Sequence, residues 1–420
     1  MKQLKVVQTF ISRFLILILS FGLVIFSTNI WGSEGKGTIS IVVANVAIVS
    51  FFSSIFSGSS TSYFAHKFKI EQVLVYSYIW SLLVGITVPL AFSFASLQGS
   101  YLYYLIGISV FSSLLTTNIS LFIGTQNIKM FNLYTVLQQL MHVLFIVILI
   151  YFVKLKDVSV YFLAQTLCLM LLFLLSFYQI LRKCKIRDFK FSKKVFIDMF
   201  EYGWKTQLSA FIQFLNYRLS FYFLEYFEGI AAVGIFSIGI TFSEAIWTIT
   251  RSIAVVLYSD VVNSKSKEGS IIKTKSSLKI SFTLMLVFLI GIIIIPAQVY
   301  VLIFGNEFSE TKKIMLLLSP GIFAIAISDM VGYYFSAIKH LKILNVKSII
   351  GLLITVILSY FAIPRWGIWG ACFVTSASYL VSGSILFWKF YQTTDFKIRD
   401  YLITKDEITA LMQTFSRKKY

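Results

Sequence analysis

Charge is scarce in this 420-residue chain: only 13% of its residues are Asp, Glu, Lys or Arg, about half the share found in a soluble globular domain. So little charge cannot cover a water-facing surface of that size, which excludes an ordinary soluble enzyme or binding module. Cysteine is scarcer still. Cys168, Cys184 and Cys372 stand far apart, which excludes a disulfide framework and any zinc-ligand spacing. Catalytic signatures are missing too: the sequence has no GxxxxGK[ST] loop, no HExxH, no GxSxG and no CxxC. An ATP-driven pump or a hydrolase therefore has no chemistry to rest on, and the chain is read as a non-enzyme with no cofactor and no metal.

What the chain has in abundance is apolar sequence, with 58% hydrophobic and 17% aromatic residues. About 20 helical residues at 1.5 Å each cross a hydrocarbon core of ~30 Å. Windows of that length fall at residues 10–31, 38–63, 72–97, 101–126, 130–153 and 158–181. A second set falls at 203–227, 231–257, 280–304, 314–337, 343–363 and 367–391. The first window follows a basic start but lacks a small-residue cleavage site, so it reads as a retained span and not as a signal peptide. The pattern predicts an all-α integral membrane protein of about twelve transmembrane helices. The expected organisation is an N-terminal six-helix lobe at 1–181, a cytoplasmic basic connector at 182–200, a C-terminal six-helix lobe at 201–391 and a cytoplasmic tail at 392–420.

The formal net charge is +19, yet the basic residues lie between the apolar windows and do not gather on a folded surface. Nucleic acid is therefore not an expected partner. Of 37 Lys and Arg, only Lys36, Lys154, Lys156, Lys312, Lys313 and Arg365 fall on the far side of the predicted membrane. Arg218 lies inside a span, and the others fall on the N-terminal side. That asymmetry places both termini in the cytoplasm. The basic loop Lys265–Lys279 reads as part of this signal, with contact to anionic inner-leaflet lipid as a secondary role.

Two sets of six spans suggest a duplication. Asn127–Asn132 (NIKMFN) is similar to His340–Asn345 (HLKILN), and Gly37–Ile41 (GTISI) is similar to Gly234–Ile238 (GIFSI). Halves of six spans would be parallel repeats related by pseudo-two-fold symmetry, an arrangement in which transporters bind near the midplane and rock between two open states.

The most informative stretch is Glu201–Asp260, two apolar windows joined by a short turn at Glu228–Gly229. It buries Arg218, Glu225, Glu244 and Arg251, and a charge at mid-membrane costs roughly 2.5–3.5 kcal/mol on insertion scales. Gln213 and Asn216 share the seventh span with Arg218. Arg218 and Glu225 stand about 10.5 Å apart along one helix, too far for a pair on adjacent turns. By depth, Arg218 matches Glu244 on the returning span, and Arg251 matches Asp329 on the tenth. These are two predicted ion pairs that could serve as structural glue. The competing reading has Arg218 facing a hydrated lumen, where its planar fork suits phosphate oxygens. The first half carries Asn45, Asn118, Gln126, Gln138, Gln139 and His142 but no deep carboxylate. His142 is expected to be a neutral hydrogen-bonded histidine. Pro89 and Pro296 mark candidate kinks.

Scattered short motifs run from Glu34–Gly35–Lys36–Gly37 through Tyr202–Gly203, Asn216–Tyr217–Arg218, Ala232–Val233–Gly234 with Ser237, and Glu244 before Trp247. Further along come Phe304–Gly305 with Glu307–Phe308, Pro320–Gly321, and Pro364–Trp366–Gly367–Gly370–Ala371. Spread over essentially the whole chain, they resemble those of the polysaccharide-biosynthesis flippases, the Wzx-type oligosaccharide translocases of the MATE-like superfamily. The resemblance implies two six-helix lobes flanking a cavity open alternately to each side. Its implied substrate is an oligosaccharide on a polyprenyl diphosphate (an O-antigen or capsule repeat unit), moved from the inner to the outer leaflet of a bacterial cytoplasmic membrane. It also implies work alongside polysaccharide polymerase machinery, and energy from a proton or ion gradient or from downhill flow. By the same analogy Arg218 is the leading substrate contact, with Asn216, Gln213, Glu244, Arg251 and Asp329 as further lumen candidates.

Three alternatives differ in their residues. Drug/cation antiporters of the same superfamily often carry an acid in the first helix, where this chain has only Asn29 and a peripheral Arg13. Lipid II flippases usually have two more spans. A membrane glycosyltransferase or polymerase would need a catalytic array on a large outer loop, and the outer loops here are short.

Overall fold

The computed structural model describes residues 2–94, 101–182, 184–262, 264, 266–338 and 340–394. Most of the predicted tail, and the last residues of the third predicted window, lie outside them. The described chain is all α. Its helices are α1 (Lys2–Ser57), α2 (Ser59–Phe64), α3 (Ile70–Phe94), α4 (Leu102–Gly124), α5 (Ile128–Tyr151) and α6 (Ser159–Leu181). There follow α7 (Lys193–Glu228), α8 (Ile230–Val262), α9 (Lys267–Ile294), α10 (Ala297–Phe304), α11 (Thr311–Ala337) and α12 (Leu341–Thr394).

Among the described residues, nine helices are long and apolar enough to cross a membrane. Two of them, α1 and α12, are long enough for two crossings each. Each breaks at a glycine with positive φ: Gly32 (φ 62°, ψ −161°) in α1 and Gly367 (φ 52°, ψ −128°) in α12. Both conformations are closed to residues with a Cβ, so glycine lets the chain reverse without an intervening loop. Helix α7 is the twelfth crossing, less apolar than the others because its central stretch carries Gln207, Gln213, Asn216 and Arg218.

The ninth crossing departs from the expected 280–304. Helix α9 starts at Lys267, where the Ser266 side chain accepts the Gly269 N–H at 3.0 Å and caps the helix. It stops at Ile294, and a separate short helix, α10, carries the chain on. Pro296 explains the break: it has no N–H to donate, and the preceding Ile295 takes an extended ψ of 121°. Much of the predicted 260–279 loop is thus helical, as the ends of α8 and α9. Pro89, by contrast, sits inside an uninterrupted α3.

The chain divides into two compact units, Met1–Phe211 and Ile212–Tyr420, with α7 contributing to both. The first unit centres on Leu74, Ile108, Phe162, Leu169 and Leu172. Several of its in-span polar groups satisfy one another. Tyr78 donates to Asn118 Oδ1 at 2.5 Å, and Asn118 Nδ2 donates to Ser176 Oγ at 2.8 Å. His142 is buried with Nε2 3.2 Å from the Tyr161 carbonyl. A carbonyl can only accept, so the proton sits on Nε2. The first part of α7 docks on this unit through Gly203, where a Cβ would stand 1.8 Å from the Ile55 carbonyl oxygen. The second unit packs α11 against α8 and α12 around Met330, Tyr334, Phe335, Leu386 and Phe390.

Candidate functional site

The charged residues singled out in the sequence gather in the second unit. Helices α7 and α8 are joined by one residue, Gly229 (φ 87°), so they return side by side. Arg218 Nη2 on α7 lies 2.5 Å from Glu244 Oε1 on α8, with side chains 21% and 35% exposed. The Arg218 guanidinium also lies over the Phe221 ring, 5.1 Å from its centre. About two turns further along α8, Arg251 Nε is 3.7 Å from Asp329 Oδ2 on α11. That separation is an ion contact and not a hydrogen bond. Asp329 Oδ2 is buried and makes no hydrogen bond among the described residues. Arg251 itself is 46% exposed and lies over the Trp247 ring at 5.8 Å. Both pairs expected from helix depth are therefore formed.

A third cation joins the second pair, and sequence reasoning missed it. Lys347 near the start of α12 is buried, and its Nζ donates to Ser328 Oγ at 3.3 Å. Lys347 and Arg251 both act electrostatically on Asp329. The charge asymmetry alone groups Lys347 with the lysines of the N-terminal side. Its position four residues inside the predicted 343–363 window was the available signal.

An aromatic wall lies between the two ion groups. Tyr217 packs on Trp247 with ring centres 4.9 Å apart and meets Tyr379 edge-on at 5.3 Å. Gln213 donates to the Tyr217 hydroxyl. Asn216 is used differently: its Oδ1 accepts from Thr355 at 2.6 Å and from Ser378 at 2.7 Å, and it is buried. It pins α7 to both arms of α12. Glu225, further along α7, is half-buried and outside this group.

The site thus offers two arginines on successive helices, each stacked on an aromatic ring and each facing one carboxylate. Such an arrangement can exchange a carboxylate partner for another anion, because guanidinium forks bind carboxylate and phosphate oxygens alike. Among the described residues no cluster of His, Cys, Asp or Glu has the makings of a metal site.

The fold is that of a polytopic helical membrane protein. Residues 5–258, well over half the chain, match the family described as "Polysaccharide biosynthesis protein". The chain belongs to that family. Its fold is similar to that of a multidrug-resistance MATE family transporter in an inward-facing conformation (16% identity, 90% of this chain and 94% of that one covered, TM-score 0.70). It is also similar to the lipid II flippase MurJ in an inward closed conformation (16% identity, 99% and 93% covered, TM-score 0.66). A MOP-superfamily transporter from Pyrococcus furiosus, reported with a binding pocket of reverse polarity, matches at 17% identity, 93% and 94% coverage and TM-score 0.64. Among curated proteins no sequence matches this one significantly.

Proposed function

We propose that this protein is a flippase that moves a polyprenyl-diphosphate-linked oligosaccharide from the inner to the outer leaflet of a bacterial cytoplasmic membrane by alternating access, with both termini in the cytoplasm. The observation that carries the reading is the pair of partly exposed arginines, Arg218 and Arg251, set among Phe221, Trp247 and Tyr217 in a family of polysaccharide biosynthesis proteins. A diphosphate needs cationic contacts when it leaves water, and sugars pack well on aromatic faces. In this reading Arg218 and Arg251 take the diphosphate while Glu244 and Asp329 hold them in place between loads. Gln213 sets the Tyr217 hydroxyl, and Asn216 holds the helices. A lipid II flippase of the same fold supports a lipid-linked cargo.

Complementation of a bacterial strain lacking its own flippase tests the proposal. The readout is surface polysaccharide against intermediate accumulated in the inner leaflet, with membrane expression measured alongside. Wild type and Arg218→Lys are expected to restore export, and Arg218→Gln to reach the membrane but leave the intermediate behind. Full export by Arg218→Gln would refute the role of this arginine. Export of cationic drugs in place of glycolipid would refute the substrate class.

A further inference from the structure

A cavity lies in the first unit, remote in sequence from every residue discussed above as a site. It has a volume of about 620 Å³, within the usual range of ligand pockets. Its walls come from the α2–α3 link, the end of α4, the start of α5 and the end of α6. All four are on the basic side of the membrane according to the span order. The floor is apolar, made by Leu121, Phe122, Met130 and Ile180, and the rim carries Lys69 and Arg182 with the amides of Asn127 and Gln179.

The rim cations are available to a ligand. Lys69 Nζ is 2.7 Å from Asp188 Oδ1, but Lys69 is 61% exposed, and exposed pairs of this kind exchange partners at little cost. Arg182 lies over the Tyr178 ring at 4.3 Å. The carboxylate in the wall, Glu71, is buried and accepts the Lys185 backbone N–H at 2.9 Å. In the sequence, Lys67, Lys129, Lys185 and Lys190 flank the lining segments and outnumber Glu71 and Asp188 there. A soluble anion would leave the greasy floor empty, and a neutral lipid would leave the cations unanswered. A ligand that satisfies both parts has an anionic phosphate head and a hydrocarbon tail, and it reaches the cavity at the depth where lipid headgroups meet basic loops.

We propose that this cavity binds an anionic phospholipid of the leaflet on the basic side, with the phosphate between Lys69 and Arg182 and an acyl chain over Leu121, Phe122 and Ile180. It shares no residue with the proposed transport site, so failure of either assignment leaves the other standing.

The test uses the full chain purified into phosphatidylcholine nanodiscs with graded phosphatidylglycerol. Retained lipid is read by native mass spectrometry, and the alkylation rate of Cys184, which lines the cavity, is read at alkaline pH. Cys168 and Cys372 are buried and serve as silent controls. Phosphatidylglycerol is expected to be retained over phosphatidylcholine and to slow Cys184 alkylation. Lys69→Gln with Arg182→Gln should weaken retention roughly 30-fold, as for two basic contacts near an anionic surface. Lys205→Gln with Lys342→Gln, on exposed positions of α7 and α12, should leave it unchanged. Met130→Trp, which fills the floor and keeps every charge, should also lose the lipid. If it does not accumulate, the two surface pairs decide. Equal losses in the two double variants, or no preference between the two phospholipids, would overturn the site. Selective retention of a polyprenyl phosphate over phosphatidylglycerol would overturn the phospholipid assignment.

Discussion

Replacing Asp329 by Asn separates the two cations that share it. At 3.7 Å and an effective dielectric of about 20, a unit pair such as Arg251–Asp329 interacts by roughly 4–5 kcal/mol. Arg251 is nearly half exposed, so solvent screening and rehydration leave about 1 kcal/mol of that as net stability. Lys347 is in a different position. It is 6% exposed, and the hydrogen bond to Ser328 Oγ at 3.3 Å does not neutralise its charge. Removing the carboxylate strands a buried ammonium, which typically costs about 3–5 kcal/mol.

Asp329→Asn should therefore destabilise by about 3–5 kcal/mol and Arg251→Gln by about 1 kcal/mol. Lys347→Met, which fits an apolar stem into the same space, should rescue most of the Asp329→Asn loss. The assay is a double-mutant cycle on equilibrium unfolding by steric trapping in one fixed bicelle composition, because thermal midpoints of membrane proteins are often kinetic. A coupling energy of about 2 kcal/mol or more between positions 329 and 347 is expected. Equal costs for Asp329→Asn and Arg251→Gln would refute this reasoning. So would a double variant no more stable than Asp329→Asn alone.

Two further outcomes follow from the same geometry. Asn216→Ala leaves the buried Thr355 hydroxyl without its acceptor, while Ser378 keeps the Gly351 carbonyl at 2.9 Å, so the cost is about 1–3 kcal/mol for one orphaned group. Lower unfolding stability with unchanged helix content would confirm it, and wild-type stability would refute it. Gly367→Ala must adopt φ 52° with a Cβ 3.0 Å from the Glu228 carboxylate. The strain is worth roughly 1–3 kcal/mol. Its loss of folded yield should be partly relieved by adding Glu228→Ala, and no relief would show that backbone strain alone decides.

The parts of the structure governed by helix geometry were legible in the sequence. The Glu228–Gly229 turn and the depth matches of Arg218 with Glu244 and Arg251 with Asp329 need only the rise per residue and the span order. Lys347 was not legible in that way, because a lysine near the end of a span can snorkel to water, and only packing shows that this one does not. The Asn216 acceptor was hidden for a related reason. Membrane serines and threonines commonly bond back to their own helix, as Thr241 does to the Ser237 carbonyl at 2.8 Å. Nothing in the spacing of Thr355 and Ser378 distinguishes them as the two that reach across. The α9–α10 break falls at Pro296, one of the two prolines read as candidate kinks, whereas Pro89, the other, interrupts nothing.

The two units answer the cost of polar groups in lipid by different means. Deep in its spans the first unit uses neutral groups that find neutral partners, as in Tyr78–Asn118–Ser176 and His142 with the Tyr161 carbonyl. The second unit uses charges, and a single helix cannot neutralise them. Helix α7 carries Arg218 at an insertion cost of roughly 2.5–3.5 kcal/mol if left alone. The return of α8 brings Glu244 to it. Measured from Gly229, the two residues differ in depth by only about 6 Å at 1.5 Å per residue, within reach of two long side chains. One more residue in that link would shift Glu244 along α8 and rotate it by about 100°, turning the carboxylate away while leaving the amount of apolar surface unchanged. Gly229 is therefore part of the charged site, since its positive φ permits a one-residue turn and the turn sets the register in which the charges meet.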